Sequence, residues 1–89
     1  MEIAFSSSFK RAFRKKIKGN AVLETEFWNR VEIFITNPHD VFLRTHKLTG
    51  KLKDLWSFSI TFDLRVVFFF EDNNRKAIFI DFGSHEEVY

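Results

Sequence analysis

From Trp56 to Phe62 the chain alternates strictly, with Trp56, Phe58, Ile60 and Phe62 on one side and Ser57, Ser59 and Thr61 on the other. A period of two over this length predicts a strand with one buried and one more polar face. From Leu64 to Phe70 the pattern becomes a nearly continuous apolar run, rich in Val and Phe. Such a run suits a central strand covered on both sides. Arg65 interrupts it. A guanidinium stays charged and is seldom buried without an anion. Arg65 is therefore the first functional candidate, the structural alternative being an ion pair with Asp63 or Asp81.

Upstream the period changes to that of a helix. Phe9, Ala12, Phe13 and Ile17 share one face, while Lys10, Arg11, Arg14, Lys15 and Lys18 fill the other. Ser6, Ser7 and Ser8 offer a cap for the first turn, and Gly19-Asn20 ends the helix. A second helix is expected from about Ala21 to Thr36, with Leu23, Phe27, Val31 and Phe34 as its apolar stripe, stopped by Asn37-Pro38. So short a link makes the pair an antiparallel hairpin, and the Phe stripe reads as core.

Glu2–Phe5 reads as a first strand, and Arg44–Leu48 as a short one before a Thr49-Gly50 turn. Residues 71–74, Glu-Asp-Asn-Asn, are a turn by composition. Lys76 to Gly83 is the last strand, with Ile78, Ile80 and Phe82 expected on one face and Ala77, Phe79 and Asp81 on the other. The whole is a single α+β domain over residues 1–89: an N-terminal strand, then an antiparallel helical hairpin packed on a mainly antiparallel sheet of four to five strands.

Length and composition sharpen this picture. An 89-residue chain makes one modest core, and 13 Phe residues enlarge it, because each ring buries roughly 150–250 Å². No apolar run approaches the ~18 residues of a membrane span, and the N-terminus lacks the order of a signal peptide. A cytoplasmic protein without membrane contact is expected. The absence of Cys excludes disulfides and thiolate metal sites. Residues 1–53 carry 11 Lys/Arg against 5 Asp/Glu, whereas residues 54–89 carry 3 against 7. The basic half suits either a polyanionic partner or a solvated helix face.

No phosphate loop, nucleophile elbow or zinc-protease motif occurs. His39, His46 and His85 are too few and too scattered to show a ligand spacing, so no metal is expected. Cutting RNA through its own 2′-hydroxyl needs only a base, an acid and a fixed cation. His suits the first two roles and Arg the third. If the last three long strands are neighbours, His46, Arg65 and His85 converge at one end of the sheet. On pattern alone, ribonuclease is one option among several for a basic-faced α+β domain.

The run RTHKLTGKLKDLWSFSI, then FDLRVVFFF, then IDFGSHEEVY, resembles the RelE/ParE superfamily of bacterial and archaeal toxins, with most likeness to the YafQ and YoeB branches of messenger-RNA interferases. The likeness covers essentially the whole chain. It implies the RelE-like microbial RNase fold and a catalytic set. Arg65 matches the arginine that steadies the scissile phosphate. His85, in Gly83-Ser84-His85, matches the general acid. His46 falls at the base position, and Asp63 matches an aspartate of the YafQ branch that competes for that role; His46 is favoured because it fits both branches. Tyr89 takes the place of a C-terminal aromatic beside the substrate base. Lys47, Lys51 and Lys53 would contact RNA. Ser59 and Leu64 depart from the YafQ pattern, which has histidine and tryptophan there.

The resemblance implies a ribosome-dependent, metal-independent endoribonuclease that cuts translated messenger RNA and needs no cofactor. Lys10, Arg11, Arg14, Lys15 and Lys18 would grip ribosomal RNA, since phosphate contacts supply affinity and position. A cognate acidic antitoxin would neutralise it in a hetero-oligomer. Two rivals are a ParE-like toxin that inhibits DNA gyrase by binding and an inactive relative that only binds; retention of His46, Arg65 and His85 favours the nuclease.

Overall fold

A computed structural model of the chain describes residues 1–50 and 54–88. Strand β1 (Glu2–Phe5) leads into helix α1 (Ser7–Ile17) and helix α2 (Ala21–Thr36). A 3₁₀ turn over Val41–Leu43 precedes β2 (His46–Lys47), β3 (Trp56–Ser59), β4 (Leu64–Glu71) and β5 (Lys76–Ser84), and a short helix α3 (His85–Val88) follows. The five strands lie in the order β1-β5-β4-β3-β2. All neighbours are antiparallel except β1, which runs parallel to β5. The α+β architecture is the expected one.

Both long helices start on side-chain caps. Ser6 Oγ accepts from Phe9 N–H at 3.1 Å, and Asn20 Oδ1 accepts from Leu23 N–H at 3.0 Å. Between them Gly19 takes φ +73°, a value that L side chains rarely adopt. The hairpin lays Phe9, Phe27, Val31 and Phe34 onto one face of the sheet, against Phe58, Val66, Phe68, Phe79 and Phe82. Phe34 stacks on Phe58 with ring centres 4.6 Å apart, and Phe9 meets Phe79 and Phe82 at 5.5 and 6.0 Å. Buried aromatic pairs of this kind each add about 0.5–1.5 kcal/mol beyond their area.

Three expectations need correction. The strand predicted from Trp56 to Phe62 ends at Ser59. Residues 60–63 turn instead, closed by Ile60 N–H to Leu64 O at 2.8 Å and Leu64 N–H to Thr61 Oγ1 at 3.1 Å. Ile60 remains fully buried, but Phe62 is 88% exposed. The strand predicted over Arg44–Leu48 shrinks to His46–Lys47, because Arg44 sits in the left-handed region at φ +51°. In β5 the register shifts: Val67 opposes Asp81 while Phe68 opposes Phe79. The extra residue turns the strand, so Phe79 and Phe82 face the helices together instead of alternating.

Candidate active site

Arg65 stands second in β4, opposite Ser59 on β3 and Gly83 on β5. Its neighbour Val66 points into the helical layer, so Arg65 belongs to the far face of the sheet. Its Nη1 donates to Ser59 Oγ at 3.0 Å, and its Nε is buried with no hydrogen-bond partner among the described residues. The ion pairs among those residues are Lys16–Glu87, Arg30–Glu26 and Lys76–Glu2. None involves Arg65, so the pairing with Asp63 or Asp81 does not form. Asp63 is exposed in the turn before β4, and Asp81 Oδ1 accepts from the N–H of Phe82. A guanidinium fixed by a hydroxyl, with no carboxylate partner among the described residues, is a ready anion contact.

Ser84 opposes Leu64, and His85 follows it as the first residue of α3. Arg65 and His85 therefore occupy one end of the sheet. The turn carrying His85 is closed by a reciprocal cap: Ser84 N–H donates to Glu87 Oε1 at 2.8 Å, and Glu87 N–H donates to Ser84 Oγ at 3.3 Å. Glu87 also forms an ion pair with Lys16 of α1. That pair, followed by the two Ser84 bonds, lowers the Glu87 carboxyl to about 2. Gly83 leaves room for the fold-back, since a Cβ there would lie 3.1 Å from Glu87 Cβ and 3.3 Å from Val88 Cγ1.

His46 is exposed on the edge strand β2, with Nδ1 3.0 Å from the carbonyl oxygen of Arg44. It opposes Ser57, two residues along β3 from the Ser59 that meets Arg65. Strand spacing and rise put its Cα about 12 Å from that of Arg65. The expected convergence is thus closest for Arg65 and His85, with His46 set back on the edge strand β2, beyond β3. Lys47 is exposed beside it. Lys51, Lys53 and Tyr89 lie outside the described residues. Lys10, Arg11, Arg14, Lys15 and Lys18 are all exposed on α1 and its C-cap. That ridge belongs to the helical layer, across the sheet from Arg65. Among the described residues, no cluster of three His, Asp or Glu is placed to hold a metal ion, and no helix is long and apolar enough to cross a membrane.

Sequence reasoning passed over Ser59 as the Arg65 anchor, Gly83 as the space under α3, and Glu87 as the clasp. The Glu87 signal was legible, because Ser84-x-x-Glu87 has capping-box spacing.

No family model matches the sequence, and no curated protein matches it significantly. Solved structures do. A copper-bound mutant toxin from Helicobacter pylori is 26% identical with a TM-score of 0.76, the match covering 100% of this chain and 99% of that one. A YoeB/ParE toxin from Agrobacterium tumefaciens is 16% identical at TM-score 0.80, covering 96% and 99%. YafQ from E. coli strain BL21(DE3) is 16% identical at TM-score 0.79, covering 99% and 97%; it is also solved as a DinJ–YafQ complex. The chain has the RelE/ParE-like toxin fold.

Proposed function

We propose that this protein is the toxin of a toxin–antitoxin pair and acts as a ribosome-dependent endoribonuclease on translated messenger RNA. The observation that carries this reading is Arg65, held by Ser59 at 3.0 Å without a carboxylate partner among the described residues, at the end of the sheet where His85 begins α3.

In this mechanism a phosphodiester docks on the Arg65 guanidinium, whose charge opposes the negative charge gathering on the phosphoryl oxygens. His46 takes the proton of the 2′-hydroxyl, and that oxygen forms a bond to phosphorus. The bond from phosphorus to the 5′-oxygen breaks, and His85 supplies the proton to the leaving oxygen. The products are a 2′,3′-cyclic phosphate and a free 5′-hydroxyl. Asp63 remains the competing base, and Tyr89 is assigned to the substrate base. The exposed cations of α1 supply ribosomal RNA contacts whose strength falls with salt. The solved DinJ–YafQ complex supports an antitoxin partner. An acidic one matches the basic ridge.

The test maps 5′ ends of a translated message after brief induction of the wild type and of His85→Ala. Cuts within the reading frame that depend on translation and drop by roughly 10²–10⁴ in the variant are expected. Growth arrest without cuts, accompanied by gyrase-linked DNA breaks, would move the protein to the ParE-like class.

A further inference from the structure

A cleft of about 390 Å³ opens beside this end of the sheet. Phe42 of the 3₁₀ turn and Phe62 of the β3–β4 turn both line it, together with Arg30, Arg44, Ser59 and Thr61. The two rings are 68% and 88% exposed, which forgoes the burial that a Phe normally gains. Both stand on pinned backbone. Phe42 N–H donates to Asp40 Oδ1 at 2.9 Å, and its carbonyl accepts from Arg30 Nη1 at 2.7 Å. Phe62 sits in the turn closed by the Ile60 and Leu64 bonds at 2.8 and 3.1 Å. The backbone beneath both rings is hydrogen-bonded, which leaves mainly the side chains to order on binding.

The charge in the cleft is of one sign. Arg30 is spoken for by Glu26 at 2.8 Å, but Arg44 has no carboxylate partner among the described residues. Among the described residues no acidic side chain lines the cleft. The acids flanking the two rings in sequence are Asp40, which caps the 3₁₀ turn, and Asp63. Ser59 connects the cleft to Arg65, since it lines the one and bonds the other at 3.0 Å. An anion held by Arg65 therefore lies one side chain away from two exposed rings and a second guanidinium. Single-stranded RNA presents this alternation, with charged phosphates separated by flat bases that stack on aromatic or guanidinium planes.

We infer that the cleft is a nucleobase subsite: the base flanking the phosphate at Arg65 stacks on Phe62, Phe42 bounds it on the other side, and Arg44 meets the next phosphate. The inference rests on the ribonuclease reading above. Because stacking tolerates any base, the subsite grips the strand without selecting a sequence.

The test titrates the full chain with a short single-stranded RNA bearing 2′-O-methyl riboses, which cannot be cut, and with the same strand lacking one base, followed by nuclear magnetic resonance. Phe62→Ala should weaken binding by roughly 5- to 150-fold while Phe62→Tyr keeps it. Removing the base should cost the wild type as much, yet cost Phe62→Ala little more, as a thermodynamic cycle requires of contacting groups. Full affinity in Phe62→Ala, with binding still lost in Arg65→Ala, ends the subsite and leaves the ribonuclease reading standing. Equal loss on base removal with and without the ring also ends it. If the wild type binds no RNA, the subsite falls, while the ribosome-dependent reading stands or falls on the 5′-end mapping. If Phe62→Ala abolishes self-association in sedimentation and leaves RNA binding intact, the cleft is a protein interface and the inference is wrong.

Discussion

The two faces of the sheet around β4 are built from the same strands yet do opposite things. On the helical side Val66 and Phe68 are fully buried among the rings of Phe34, Phe58 and Phe79. Every group there is apolar and packed, so the face is stable as it stands. On the far side, one residue away, Arg65 meets a buried serine and keeps a buried Nε without a partner among the described residues. An unpaired buried donor costs about 1–3 kcal/mol, and this chain spends that beside its most stabilising layer. Folding is secured on one face, which allows the other to hold a group suited to a ligand.

The widest contrast in stability comes from truncating each face. Phe34 is fully buried, stacks on Phe58 at 4.6 Å and meets Phe68 and Phe79 edge-on at 5.0 and 5.6 Å. Phe34→Ala should lose about 3–5 kcal/mol in denaturant unfolding, a large share of the stability of so small a domain. A loss below about 1 kcal/mol would mean that the aromatic layer repacks and that the two faces differ less than their burial implies.

Arg65→Met inverts the result. It keeps the bulk of the side chain, abandons the Ser59 bond and removes the orphaned Nε, two effects that oppose each other. Stability should stay within about 1 kcal/mol of the parent, while cleavage of translated message falls on the order of 10²–10³-fold. A variant that unfolds but still cleaves when folded would make Arg65 a structural residue and dissolve the comparison.

The helical face was also the more legible of the two. Phe9, Phe27, Val31 and Phe34 announce themselves by spacing, because a helix repeats and its buried stripe repeats with it. The far face depends on register, which sequence periodicity does not carry. That Arg65 lies opposite Ser59 and Gly83 follows from how β3, β4 and β5 pair, and the shift between Val67 and Phe68 moves β5 by one residue with no sign in composition. Phe62 misled for a related reason: it extends the alternation of β3, but the Leu64 N–H to Thr61 Oγ1 bond at 3.1 Å ends the strand first. Arg65 and His85 were visible as chemistry. Their shared end of the sheet, and the setback of His46 onto β2, required the topology.

The smallest expected effect concerns the join between the faces, where α3 carries His85 and Glu87 ties it to Lys16 of α1. The ion pair with Lys16 and the two Ser84 bonds lower the Glu87 carboxyl from its ordinary 4.5 to about 2. A depressed carboxylate adds stability that is present above the unfolded value and lost as pH falls through the folded one. The clasp should therefore hold near neutrality and loosen between pH 4.5 and 2. Hydrogen exchange at the Ser84 N–H, which donates to Glu87 Oε1 at 2.8 Å, reads this opening directly. In the wild type its protection should decline across that window. In Glu87→Gln it should start lower and stay flat, because an amide keeps an acceptor but neither the charge nor the titration. Equal protection in both proteins at every pH would show that α3 is held without the Glu87 charge. The ionic clasp would then contribute nothing to where His85 sits.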